Sequence, residues 1–154
     1  FDEFAIYEGS GGAGEHRGGF GVNYAIRLRR GAARASMVMD HGRTGPLGAL
    51  GGADGGLNKV AIETKRGSYQ PPHLSKDQDI DLEPGDVVRV STPGGGGYGD
   101  PLRRDPRKVA TDVMRGYYSR EQAASLFGVV LAEGGEADAA GTVELRSRMR
   151  GRAA

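Results

Sequence analysis

Glycine constrains this chain more than any other feature: 28 of its 154 residues are glycine, against a usual share of roughly 7%. Each one carries a high backbone entropy cost, so long helices and long strands are both disfavoured. The glycines follow no collagen-like triplet. They gather in residues 9–21, 42–56 and 92–100, and runs such as Val87-Val88-Arg89-Val90 between them read as packed core. A globular, loop-rich product built on short strands is implied, with room for one modest domain.

Apolar residues fall on every second position in Val22, Tyr24, Ile26 and Leu28, the period of a half-buried strand. Residues 4–7, 35–39, 59–63 and 87–90 read the same way, as does the pair Ile80 and Leu82, giving at least five expected strands. The glycine loops 9–21 and 42–56 are long for structureless connections, so they are expected to be functional or braced by a neighbouring subunit. After Pro101 the pattern changes. Asp105-Pro106 opens a helix with an N-cap aspartate and a proline in the first turn, and Val109, Val113 and Tyr117 share one face. Ser119 with Gln122 reads as a capping box before an apolar stripe of Ala123, Leu126, Phe127 and Val130. Thr142 is expected to open a third helix through Leu145 and Met149. The expected fold class is α+β: mainly short β-strands with glycine-rich loops, followed by two or three short C-terminal helices. The expected organisation is a glycine-rich β module at 1–100 and a helical C-terminal tail at 101–154, one structural unit completed by a partner chain.

A net charge of +1 gives no reason to expect nucleic acid or a membrane surface as partner. Asp77, Asp79, Asp81, Glu83 and Asp86, and the basic tail of Arg146, Arg148, Arg150 and Arg152, read as solvated surface. The absence of cysteine excludes a disulfide framework, a thiolate metal site and thiol catalysis. No apolar run approaches membrane-spanning length, and cytoplasmic localisation is the expectation. The sequence opens on Phe1 and runs straight into strand-like residues, so an upstream part is expected to be missing, processed away or supplied by another chain.

The run Thr92-Pro93-Gly94-Gly95-Gly96-Gly97-Tyr98-Gly99-Asp100 follows a strand but lacks the lysine and the serine or threonine of a phosphate-binding loop. No helix opens inside it, so close packing against other backbone is expected instead. Arg17, flanked by glycines, could grip a carboxylate, a phosphate or a carbonyl oxygen, or could satisfy loop carbonyls. Asp40, His41 and Arg43 could form a small polar cluster after a strand end. His16, His41 and His73 lack metal-ligand spacing, so no metal site within the chain is expected. The candidate site residues are therefore Arg17, His41 and Arg43, with no cofactor-binding residue among them.

Three segments in order carry a resemblance. Residues 10–22, Ser10-Gly11-Gly12-Ala13-Gly14-Glu15-His16-Arg17-Gly18-Gly19-Phe20-Gly21-Val22, resemble a segment of the hydantoinase B/oxoprolinase family. Pro84-Gly85-Asp86 through Gly94-Gly95-Gly96-Gly97-Tyr98-Gly99-Asp100-Pro101 resembles a second, and Asp105-Pro106 onward to Phe127-Gly128-Val129-Val130 resembles its C-terminal end. The resemblance implies a small subunit or C-terminal fragment of an ATP-dependent amidohydrolase complex, of hydantoinase, oxoprolinase or lactamase type. Such a complex opens a cyclic amide by carbonyl phosphorylation. The alternatives are a subunit of an ATP-dependent ketone carboxylase of the acetone or acetophenone type, or a non-catalytic assembly subunit. Implied partners are a hydantoinase-A-like ATP-binding subunit and the N-terminal part of a hydantoinase-B-like subunit, in a hetero-oligomer. ATP and a divalent metal are then expected in those partners and not in this chain, which is not catalytic alone. Residues 39–43 depart from the family's more basic run, and residues 67–76 depart from its pattern as an insertion-like loop; both bear on the substrate.

Overall fold

The structure, a computed structural model, describes residues 1–151; Arg152, the last arginine of the basic tail, lies outside them. Strands β1 (Glu3–Ile6), β2 (Val22–Arg27), β3 (Ala33–Val38), β4 (Lys59–Thr64), β5 (Gly67–Tyr69), β6 (Lys76–Leu82) and β7 (Val87–Ser91) occupy the first part. Among the described residues, β1, β2, β7, β4 and β5 form one antiparallel sheet in that order, and β3 pairs with β6 in a separate ribbon. Period-two alternation puts Val60, Ile62 and Val90 on the face that meets the ribbon. There they pack with Met37 and Leu82, and Tyr24, Leu28, Ile80 and Val88 complete the cluster. The expected α+β class is what the chain adopts.

On the opposite face, Glu3, Ala25, Arg89 and Ala61 stand in register across four strands. Arg89 donates to Glu63 at 2.7 Å and to Glu3 at 2.9 Å. Small Ala25, beside Arg89 in this row, is fully buried, while Ile26 on the ribbon side stays 44% exposed. The alternation therefore located the strand correctly, but the ribbon's cover stops short of Ile26.

Residues 67–76 are not one loop. Thr64 turns the chain by accepting from the Arg66 amide, and Gly67 takes a φ of +127°, so β5 folds back on β4 with Ile62 opposite Tyr69. A strand of Gly, Ser and Tyr has no apolar alternation to betray it. The acidic residues of β6 are a solvated face, with Arg34 paired to Asp79 and Asp81.

A short 3-10 helix, Pro101–Arg103, leads to helices α1 (Pro106–Met114) and α2 (Arg120–Phe127). Asp105 caps α1 by accepting from the Arg107 amide, and the capping box of Ser119 and Gln122 is formed in full. Gly128, in the left-handed conformation with φ +61°, ends α2. Val130 consequently leaves the helical stripe and enters a small hairpin of β8 (Val130–Leu131) and β9 (Ala137–Asp138), which the sequence pattern does not reveal. The last helix, α3 (Ala139–Gly151), begins before Thr142, whose hydroxyl accepts from the Val130 amide rather than capping. A second core joins Val109, Tyr118, Ala123, Phe127 and Val129 to Ala13, with Phe20 packed against them. The helices thus rest on the first glycine loop.

Candidate functional site

The three glycine segments lie side by side and exchange backbone hydrogen bonds. Gly12 donates to Gly95 and Gly95 to Gly19, both at 2.9 Å. Gly97 donates to Ala53 at 2.8 Å, Ala53 to Ala13 at 2.7 Å, and Gly99 to Ala49 at 2.9 Å. His16 and Tyr98 bridge reciprocally. The chains approach so closely that a Cβ on Gly18 would overlap the Gly95 carbonyl, and one on Gly97 would overlap that of Ala13. Glycine is required here for close approach of backbone to backbone. In this loop the amides of Gly95, Gly97, Tyr98 and Gly99, of the kind a phosphate-binding loop offers to phosphate oxygens, already donate to carbonyls.

Arg17 is held against α1. Its Nε and Nη2 donate to Asp112 at 2.9 and 3.2 Å, and Nη1 donates to the Gly18 carbonyl at 3.1 Å. The guanidinium also lies 4.5 Å from the centre of the Phe20 ring. Asp112, only 4% exposed, accepts a further bond from Arg104 Nη2 at 2.9 Å, and Arg104 Nη1 reaches the Glu15 carbonyl. Two arginines thus share one buried carboxylate and fasten the first loop to the helices. Tyr118 stands beside this group and donates to the Gly11 carbonyl at 2.6 Å; burial pushes its phenol up to about 12. Sequence reasoning named Arg17 but missed Asp112, Arg104 and Tyr118. An acid three residues after Val109, on the apolar face of α1, was the available signal.

His41 and Arg43 sit elsewhere, in a cleft of about 310 Å³ that they line with Asp40, His73, Leu74 and Lys76. Asp40, His41 and Arg43 line it with no hydrogen bond or ion pair between them, and the fold adds His73 and Lys76 to the lining. Asp40 pairs with Lys76 at 2.7 Å, and this contact holds its carboxyl below the usual carboxylate range. Among the described residues no group of three or more His, Asp or Glu side chains is arranged to hold a metal ion. No helix among them is long and apolar enough to cross a membrane.

The fold is thus a β sheet with a covering ribbon, three glycine-rich segments packed backbone on backbone, and a capping helical end. Residues 1–101 match the family model for hydantoinase B/oxoprolinase, and the chain belongs to that family. It is 35% identical over 146 residues to the caprolactamase subunit beta of Pseudomonas jessenii, covering 90% of this chain and 24% of that one. To the 5-oxoprolinase of Saccharomyces cerevisiae it is 35% identical over 97 residues, covering 63% of this chain and 7% of that one. The solved ATP-dependent caprolactamase from Pseudomonas jessenii superposes with a TM-score of 0.75 at 30% identity, over 94% of this chain and 25% of that one. An acetone carboxylase structure superposes with a TM-score of 0.77 at 22% identity, over 97% of this chain and 24% of that one, a likeness of fold alone. The chain thus spans about a quarter of the caprolactamase subunit beta and less than a tenth of the 5-oxoprolinase.

Proposed function

We propose that this chain is a small subunit or C-terminal part of an ATP-dependent amidohydrolase complex that opens a cyclic amide after phosphorylating its carbonyl. The observation that carries the reading is its 35% identity, over 90% of its length, to the caprolactamase subunit beta. Its partners are a hydantoinase-A-like subunit that binds ATP and the N-terminal part of a hydantoinase-B-like subunit. The divalent metal belongs to those partners, and the complex works in the cytoplasm. The buried clamp on Arg17 favours a structural contribution from the glycine loops, which hold the module rigid where it meets the rest of the complex. Of the three candidate residues, Arg43 and His41 are exposed and so open to a ligand, while Arg17 is half-buried.

The test is reconstitution with a hydantoinase-A-like subunit and the missing part of the B-type subunit. Phosphate release from ATP is followed with caprolactam, hydantoin or 5-oxoproline, and in parallel with acetone and bicarbonate. Cyclic-amide-dependent phosphate release with ring opening is the expected result. Release coupled only to ketone and bicarbonate would replace this reading with a carboxylase. A complex equally active without this chain would refute both.

A further inference from the structure

We infer that the cleft between the end of β3 and the β5–β6 connection is a binding site for a small oxyanion, a carboxylate or a phosphate, gripped by Arg43 and His41. The inference concerns these side chains and is independent of the reaction proposed above. Its walls come from residues 39–44 and 73–76, two segments distant in sequence that the fold brings together.

The charges favour an anion. Of the permanently charged side chains lining the cleft, Arg43 and Lys76 are positive and Asp40 is negative. Asp40 is committed to Lys76 at 2.7 Å. Arg43 makes no hydrogen bond or ion pair among the described residues, so a planar fork suited to carboxylate or phosphate is left free. Asp77, whose carboxyl is held low chiefly by the Tyr69 hydroxyl and in small part by His73, already accepts from Tyr69. His41 Nδ1 lies 3.1 Å from the Thr44 carbonyl. A carbonyl only accepts, so Nδ1 carries the hydrogen and the ring is held in place. Nε2 has no partner among the described residues.

The cleft is also built, not an accidental gap. His41 and Leu74 are both non-glycine residues in the left-handed region, each with φ +63°. Such backbone persists only where its surroundings over-determine it, and it gathers at ligand sites. Here the surroundings are explicit. A Cβ on Gly42 would come within 3.0 Å of Leu74 Cβ and Ser75 Oγ, so the two walls touch. Buried Ser75 donates its hydroxyl to the Met39 carbonyl at 3.1 Å and accepts from the Met39 amide at 3.2 Å. The amide of buried Asn58 donates to the His41 carbonyl at 2.9 Å. The liganding side chains therefore stand on a frame that needs no rearrangement to receive an ion.

Phenylglyoxal modification of the full chain, mapped by mass spectrometry, reads Arg43 separately from exposed Arg29 and Arg30. Inorganic phosphate and succinate are the two probes. At an anion concentration ten times Kd, modification of Arg43 should slow about tenfold, with Arg29 and Arg30 unchanged. Protection by phosphate alone or by succinate alone supports the site and names its ligand class. No protection of Arg43 by either anion, or equal slowing of all three arginines, would overturn the inference. In His41→Ala the protecting anion should be needed at severalfold higher concentration; an unchanged requirement would overturn the role given to His41.

Discussion

Replacing Asp112 by alanine removes the one carboxylate that two arginines share. In the native chain Asp112 accepts at 2.9 and 3.2 Å from Arg17 and at 2.9 Å from Arg104. The Arg104 and Asp112 side chains are 9% and 6% exposed, that of Arg17 23%. Deleting one partner of a buried ion pair strands a charge away from water, at a cost of about 3–5 kcal/mol. Arg17 regains part of its hydration, which places the expected loss at the lower end, about 3–4 kcal/mol. Arg17→Ala should cost less, about 1.5–3 kcal/mol, because Asp112 keeps Arg104 and only the bonds and ring contact of Arg17 are lost. Urea unfolding followed by circular dichroism measures both. With a slope of about 1–3 kcal/mol per molar urea, Asp112→Ala should lower the midpoint by about 1–4 M. The reasoning fails if Asp112→Ala stays within about 0.5 kcal/mol of the parent, or if Arg17→Ala proves the more damaging change.

The glycine bundle supplies an internal contrast. Gly18→Ala should destabilise by about 1–3 kcal/mol or more, since its Cβ meets the Gly95 carbonyl, whereas Gly19→Ala should stay within about 0.5 kcal/mol, having no atom within 4 Å; equal thermal shifts would contradict the close-approach account. Tyr118 ionises at about 12 in the fold against an ordinary 10, with burial as the main cause. The unfolded chain therefore releases this proton first, so the contribution is complete below pH 10 and is lost as pH rises toward 12. Tyr118→Phe should flatten that part of the stability curve, and an unchanged slope would refute the assignment. Equilibrium dialysis of this chain alone with labelled ATP and magnesium should give no stoichiometric micromolar binding, because the amides of Gly95, Gly97, Tyr98 and Gly99 are already donated; such binding would overturn that geometry.

Local rules sufficed wherever neighbouring residues decide the outcome. The helix starts at Asp105-Pro106 and Ser119 could be read directly, because a cap is made by residues two or three positions apart. The strand at residues 59–63 declared its buried face through Val60 and Ile62. The need for glycine was equally plain, and with it the expectation of backbone packed on backbone. Which carbonyl each glycine meets was not, since Gly18 finds Gly95 and Gly97 finds Ala13 only after segments far apart in sequence have come together. Tertiary structure alone decided the company of the candidate residues. Arg17 and Asp112 are 95 positions apart, and no local pattern predicts that a loop arginine will be consumed by a helical acid. His41 and His73, scattered by spacing, line one cleft because β5 folds back on β4 and returns the chain through β6 to β3. Periodicity and capping act within a few residues and survive in the sequence; charge pairing and cleft formation act through space, and only the folded chain brings those groups within reach of one another.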